Sequence, residues 1–164
     1  MKNYAIFLND AARFNLERQR RIDRRRWNER TAMPFVRLTI TGPEAGPETV
    51  AALQRGITAL MAEVLGKRAD LTAVLVEPAP AAGWSVGGVA VTRAAHIEAR
   101  VTHGTNTAQE KARFVAAAHE LLVRTLPGPL PLATYVVVQE VPADAWGYGG
   151  LTQAARAVDT AARS

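Results

Sequence analysis

The chain has 164 residues, of which 48% are apolar and 21% charged, with no cysteine and a formal net charge of +5. This length suits one domain with a sizeable core, and the absence of cysteine excludes disulfides, thiolate catalysis and metal sites with sulfur ligands. The histidines lack the spacing of metal ligands, and no apolar run approaches the roughly 20 residues that span a bilayer. We therefore expect a cytoplasmic protein with no metal and no membrane partner.

The basic residues are concentrated at the start of the chain. Residues 1–32 hold nine of the 20 Lys and Arg residues and only four of the 15 Asp and Glu residues. This arm therefore carries a net charge of +5, and the other 132 residues together have a net charge of zero. Aromatic and basic side chains in the arm are compatible with a helix from about Ala5 to Trp27. Two interpretations of a genuine arm stay open: a helix that packs on an oligomer, and a segment that binds a partner or nucleic acid.

Beyond the arm, the pattern predicts a strand, a helix and a second strand. Residues 35–41 alternate as a strand does, and Pro47 suits the first turn of a helix. Apolar residues then recur at helical spacing up to position 64, and Gly66 ends the helix. A short strand follows over residues 72–76 and stops before Pro78.

The same order of elements occurs again in the second half of the chain. A strand is predicted over residues 97–102, followed by a helix that Asn106 or Thr107 caps and that ends near Thr125. The last strand covers residues 133–141. Parallel pairing of the two strands around each helix makes a βαβ unit. Two such units predict an α+β fold, a four-stranded mixed sheet with two helices on one face.

Two related motifs support a tandem repeat. Trp84-Ser-Val-Gly-Gly88 and Trp146-Gly-Tyr-Gly-Gly150 lie 62 residues apart, and their paired glycines predict short hairpins. We place the domain at residues 33–164, with the first copy at 34–91 and the second at 95–155. The strand patterns do not match at this offset, because the apolar positions are 36, 38 and 40 in one copy and 97, 99 and 101 in the other. The sequence therefore does not decide on which face of the sheet Arg100 lies.

A family resemblance starts at Met33-Pro-Phe-Val-Arg-Leu-Thr-Ile-Thr-Gly42. Together with the repeat and the aromatic-x-x-Gly-Gly turns, this stretch resembles the tautomerase superfamily, in particular the fused 4-oxalocrotonate tautomerase type. Leu65-Gly-Lys67, with the strand and turn that follow it, is also similar to macrophage migration inhibitory factor. The resemblance implies a homotrimer with the active site near a subunit boundary, no cofactor, and a small keto or enol carboxylate as substrate.

The resemblance assigns the catalytic base to Pro34. In this family the initiator methionine is removed, and the new N-terminal proline transfers the proton. A prolyl nitrogen within a chain is a tertiary amide with essentially no basicity, so this role requires that Pro34 be the first residue. We therefore expect translation to start at Met33, with processing of residues 1–32 as the alternative.

The family's substrate-binding residues are only partly matched. The two arginines of the 4-oxalocrotonate tautomerase pattern are missing from both copies, whereas Lys67 matches the substrate-binding lysine of the migration inhibitory factor pattern. We expect the remaining candidates to replace these cations or to shape the pocket. They are Arg37, Arg100, Tyr135, Trp84 and Trp146.

These residues predict an isomerase, a keto–enol tautomerase of a 2-keto or 2-hydroxy-enoate acid. A hydratase, dehalogenase or decarboxylase of the same fold is an alternative, because the proline serves as an acid in each. A catalytically silent homologue, whose arm binds a partner or nucleic acid, is another. For the enzyme itself we expect no nucleic-acid partner.

Overall fold

A computed structural model of the chain describes residues 33–42 and 45–162. The basic arm at 1–32, with its predicted helix, lies outside the described residues. Within them, strands and helices follow the order expected from the sequence, with one additional α-helix at the end and two short 3₁₀ helices at Ala69–Leu71 and Ala81–Gly83. The elements are β1 (Phe35–Thr41), α1 (Pro47–Glu63), β2 (Ala73–Pro78), β3 (Ser85–Val86), β4 (Val89–Ala90), β5 (Ala94–Thr102), α2 (Ala108–Thr125), β6 (Tyr135–Val141), β7 (Gly147–Tyr148), β8 (Leu151–Thr152) and α3 (Gln153–Ala162).

The two halves of the chain meet in one four-stranded sheet of order β2-β1-β5-β6. β1 is parallel to β2 and β5 is parallel to β6, as two βαβ units require, while β1 and β5 pair antiparallel in the centre. α1 packs against β2, α2 packs against β6, and the two helices pack against each other. The predicted α+β fold with a mixed sheet is thereby confirmed.

The register of the central pair determines which residues face the helices. Leu38 lies opposite Ile97 and Val36 lies opposite Ala99, and all four are fully buried. Side chains alternate between the two faces of a strand, so Arg100 lies on the sheet face away from the helices. The structure thus resolves the register that the repeat left open.

The core lies between this sheet and the two long helices. Each helix contributes three buried side chains at helical spacing, and each of the larger apolar ones is worth roughly 1.5–3 kcal/mol when fully buried. They are Leu53, Ile57 and Met61 from α1, and Phe114, Ala118 and Leu122 from α2. Of the helices in the described part of the chain, none is long and apolar enough to cross a membrane.

A capping box begins α2. The Thr107 hydroxyl accepts a hydrogen bond from the backbone N–H of Glu110 (3.2 Å), and the Glu110 carboxylate accepts one from the backbone N–H of Thr107 (2.8 Å). Of the two caps that the sequence left open, Thr107 is therefore the one used. The Asn106 side chain instead donates to the carbonyl oxygen of Leu65 (2.9 Å), and it thereby links the two copies.

Both predicted hairpins form at the paired glycines, as β3–β4 and β7–β8. Gly149 and Gly150 have φ angles of 55° and 78°, a region that favours glycine. The helix α3 that follows the second hairpin was not predicted, although its ten residues are amphipathic at helical spacing. Thr152 starts it, with its hydroxyl accepting from the backbone N–H of Ala155 (3.1 Å).

Glu140 of β6 holds the turn that leads from β5 into α2. Its carboxylate accepts hydrogen bonds from the backbone N–H of Gly104 (3.1 Å) and from Lys111 Nζ (3.1 Å). Burial by itself opposes ionisation, but the hydrogen bonds from Lys111 and Gly104 outweigh it. As a result, the pKa of Glu140 lies below its ordinary value of 4.5.

We expect Glu140→Gln to lower the free energy of unfolding by about 1–3 kcal/mol at neutral pH, because two charge-assisted hydrogen bonds weaken. A carboxyl group with a lowered pKa in the folded state stabilises the protein fully above the unfolded pKa, near 4.5, and loses that effect as the pH falls through the folded pKa. The difference between wild type and variant should therefore shrink in acid, as measured by chemical denaturation. In the control Glu120→Gln, the lost ion pair with Arg124 is exposed, and we expect a change of less than about 0.5 kcal/mol. A difference that does not depend on pH would contradict this account of Glu140.

Candidate active site

Pro34 lies immediately before β1, at one end of the four-stranded sheet, and its side chain is fully buried. Its carbonyl oxygen accepts a hydrogen bond from the backbone N–H of Ala73 (3.2 Å), which begins the neighbouring strand β2. On the other side, Phe35 pairs with Arg100 of β5. The sheet register therefore brings the proline of the first copy close to a cation of the second copy.

Neighbouring side chains hold the Arg100 guanidinium in place. Its Nε donates to Gln139 Oε1 (2.9 Å), its Nη2 donates to Glu98 Oε2 (3.0 Å), and its Cζ lies 5.9 Å from the centre of the Phe35 ring. These are its hydrogen bonds to the described residues, and a guanidinium has five N–H donors. The side chain is 38% exposed, and three of its five N–H donors make no hydrogen bond to the described residues.

The second hairpin and α3 complete the surroundings of Pro34. Gly147 leaves no room for a side chain, since a Cβ atom there would lie 2.0 Å from the carbonyl oxygen of Leu151. Arg156 of α3 fastens the hairpin: its Nη2 donates to the carbonyl oxygen of Tyr148 (2.8 Å), and its Cζ lies 3.8 Å from the centre of the Tyr148 ring. Trp146 and Tyr148 line the same cavity as the proline.

These elements line a cavity of about 520 Å³ that is open to solvent on one side. Its walls come from both copies, with the start of β1 and β2 on one side and β5, β6 and the second hairpin on the other. The lining residues are Met33, Pro34, Phe35, Ala73, Arg100, Gln139, Val141, Trp146, Gly147, Tyr148 and Gln153. The cavity is thus mostly apolar, with one guanidinium and two amide side chains.

Three of the residues singled out from the sequence share this cavity: Pro34, Arg100 and Trp146. Lys67 does not line it. The Lys67 side chain is buried, at 4% exposure, and its Nζ donates to the Thr105 hydroxyl (2.7 Å). Thr105 follows the end of β5 beyond Arg100, so Lys67 lies at the same end of the sheet as Pro34.

The other sequence candidates lie elsewhere. Arg37 forms an ion pair with Glu77 (2.6 Å), and the hydrogen bond between them, with their charge attraction, raises the pKa of the arginine. Tyr135 begins β6, is 64% exposed, and pairs with His96. Trp84 directly precedes the first hairpin and is half-buried.

Sequence reasoning missed several lining residues, among them Gln153, Gln139 and Tyr148. Tyr148 lies within the second aromatic-glycine motif, which was an available signal. Gln139 and Gln153 carry no local signal, because they reach the cavity only through strand pairing and through the start of an unpredicted helix.

Arg156 offers a test of how α3 supports the site. We expect Arg156→Met to speed amide hydrogen exchange in the β7–β8 hairpin about 10- to 100-fold, because a charged hydrogen bond worth about 1.5–3 kcal/mol is lost. Exchange in β1 and β5 should stay unchanged. Arg113→Met removes an exposed arginine of α2 and serves as the control. Unchanged hairpin exchange in Arg156→Met would contradict the assigned role.

Comparison with known proteins places this architecture in a family. The sequence model described as "Tautomerase enzyme" matches twice, over residues 34–94 and 96–156. "Probable tautomerase K2" from Dickeya dadantii (strain 3937) is 41% identical over 54 residues, which are 33% of this chain and 79% of that protein.

Solved structures share the fold of the described domain. The "F6 fused 4-OT wild type asymmetric trimer" is 24% identical, with a TM-score of 0.65 over 74% of this chain and 97% of the other. A macrophage migration inhibitory factor-like protein from Entamoeba histolytica is 20% identical, with a TM-score of 0.62 over 73% and 98%. The two family matches and the curated relative lead to one conclusion: the chain belongs to the tautomerase family, as two linked copies, and its function is of the tautomerase type.

Proposed function

We propose that this protein is an isomerase, a cofactor-independent keto–enol tautomerase of a small 2-keto or 2-hydroxy-enoate carboxylic acid. Its active form begins at Pro34, and the prolyl amine transfers the proton. One observation carries the proposal: a fully buried proline and a guanidinium that uses two of its five N–H donors among the described residues line the same mostly apolar cavity.

The proposal depends on the chemical state of the Pro34 nitrogen. When Met33 is attached, the nitrogen belongs to an amide and is not basic. When Pro34 is the first residue, the nitrogen is a secondary amine. Burial and the nearby Arg100 cation both disfavour the charged form, so they would hold the pKa of this amine below its usual range. An amine with a pKa near the working pH is suited to accept and return a proton.

The proton transfer needs one group that faces both reacting atoms. In ketonisation, the amine takes the proton from the enol hydroxyl, and the electron pair of that O–H bond forms the carbonyl. The C=C electrons then take a proton from the resulting ammonium at the neighbouring carbon. The amine is regenerated, so neither an oxidant nor a cofactor is needed.

Arg100 is the proposed anchor of the substrate carboxylate. A guanidinium binds a carboxylate through two parallel hydrogen bonds, and its own contacts with Gln139 and Glu98 restrict its orientation. Lys67, at the same end of the sheet, is the anchor implied by the family resemblance. Because Lys67 is buried and bonded to Thr105, we assign it a different role from the anchor: its positive charge would lower the basicity of the Pro34 amine.

We further propose a homotrimer as the working assembly. A structural relative named above is described as a trimer of a fused 4-OT. The open sheet face and the first hairpin present apolar side chains, with Tyr135 at 64% and Val89 at 70% exposure. Surfaces of this kind commonly bind other subunits. In such an assembly, Tyr135, Trp84 and Arg37 would lie near subunit boundaries.

The first experiment tests the proline. A chain that begins at Pro34 should ketonise phenylenolpyruvate, and Pro34→Ala should lower kcat/KM about 10²- to 10⁴-fold, as expected for the loss of a positioned acid–base group. The full 164-residue chain is the matched control, because it has the same cavity with an acylated nitrogen, and it should be inactive. Mass spectrometry of each sample, and of the protein from its native source, identifies the first residue. Equal activity of the full chain, with its intact mass verified, would overturn the assignment of Pro34.

A second experiment tests the anchor in the same active form. Arg100→Gln should raise KM about 10- to 100-fold with a smaller change in kcat, because a charged hydrogen bond is worth about 1.5–3 kcal/mol. Arg124→Gln, on the exposed face of α2, is the control for the loss of one positive charge. If Arg37→Gln or Lys67→Met raised KM and Arg100→Gln did not, the anchor would be reassigned to that residue.

A further inference from the structure

Gln153, the first residue of α3, is a buried polar residue in the wall of the cavity, at 7% exposure. Its backbone N–H donates to the carbonyl oxygen of Trp146 (3.0 Å), which holds the residue at the base of the second hairpin. Its side-chain Nε2 donates to the carbonyl oxygen of Met33 (3.3 Å). The amide therefore points at the peptide bond that joins Met33 to Pro34.

This contact places a hydrogen-bond donor close to the Pro34 nitrogen. The carbonyl oxygen of Met33 lies about 2.3 Å from that nitrogen across the peptide bond, as the bond lengths require. Gln153 Nε2 is 3.3 Å from the same oxygen, so it lies at most about 5.6 Å from the nitrogen. Within that limit, a keto–enol group, whose oxygen and neighbouring carbon lie about 2.4 Å apart, can contact both nitrogen atoms.

The inference rests on the proposed function, in which Met33 is absent from the active form. Removal of Met33 takes away the carbonyl oxygen to which Gln153 Nε2 donates in the described structure. A buried N–H donor without an acceptor costs about 1–3 kcal/mol. An oxygen of the substrate in the same place would relieve that cost.

We propose that Gln153 binds the C2 oxygen of the substrate and is a catalytic residue of the tautomerase reaction. Negative charge develops on this oxygen when the enol loses its hydroxyl proton. A preorganised N–H donor in an apolar cavity stabilises such charge more strongly than water does. Arg100 and Gln153 together then recognise a 2-oxo carboxylate at two points, the carboxylate and the neighbouring oxygen.

The kinetic test uses chains that begin at Pro34. Gln153→Met keeps the size of the side chain and removes the donor, and it should lower kcat about 100-fold with less than about a threefold change in KM. Gln109→Met, exposed on α2, is the control and should behave as wild type. Gln153→Glu adds a carboxylate near the amine, so the acidic limb of the pH–rate profile should move upward by about one pH unit. That shift tests how close position 153 lies to the amine, whereas a role in packing alone would lower the thermal stability of Gln153→Met and leave its kcat unchanged.

A binding measurement on the unsubstituted chain does not depend on the folding of variants. Phenylpyruvate, which has a C2 oxygen, should shift the side-chain amide signals of Gln153 in ¹H–¹⁵N NMR spectra. 3-Phenylpropanoate, which has the carboxylate and the ring but no C2 oxygen, should bind and leave those signals in place. Equal shifts with both acids, or none with either, would overturn the role of Gln153.

The two proposals fail in different ways. Normal kcat in a folded Gln153→Met variant overturns the role of Gln153 and leaves the tautomerase reaction intact. Absence of ketonisation in the unsubstituted chain that begins at Pro34 overturns the proposed function, and with it the catalytic role of Gln153.

Discussion

The antiparallel pairing of β1 with β5 is the constraint on which the site depends. Leu38 and Ile97 lie opposite each other in the core, and this pairing sets every other pair along the two strands. It leaves Phe35 opposite Arg100, next to Pro34. A register shift of one residue would exchange the two faces of β5. Arg100 would then lie in the core, where burial of an unpaired charge is very costly. Burial of an apolar pair in the middle of the sheet therefore determines where the cation lies at its end.

The tandem repeat builds one cavity from two copies. The first copy provides Pro34 and the start of β1, and the second copy provides Arg100, β6 and the hairpin that carries Trp146. Neither copy encloses this space by itself. The two hairpins begin from the same aromatic-glycine motif, but the second one is followed by α3, whose Arg156 fastens Tyr148. Divergence between copies, rather than their similarity, produces the polar groups near the proline.

The chemical character of the cavity follows from how few polar groups it contains. Apolar and aromatic side chains form most of the wall, and Gln153 is buried in it, whereas the Arg100 side chain is 38% exposed. Arg100 is oriented by Gln139 and Glu98, and Gln153 is held by the backbone of Trp146. In the proposed function, such a wall would favour a neutral prolyl amine over an ammonium ion and a small carboxylate with an apolar body.

Much of the fold could be read from local patterns in the sequence. The periodicity of α1 and α2, the alternation of β1 and the paired glycines each reflect interactions within a few residues, so they predicted the elements and the repeat. Pro34 and Trp146 came from motifs of the same local kind, with the family resemblance. Local patterns did not predict three features of the site. They are the sheet face of Arg100, the buried hydrogen bond of Lys67 and the contact of Gln153 with Met33. These depend on pairing between distant segments, 120 residues apart in the case of Gln153 and Met33, and only the packed tertiary structure decides which of them meet.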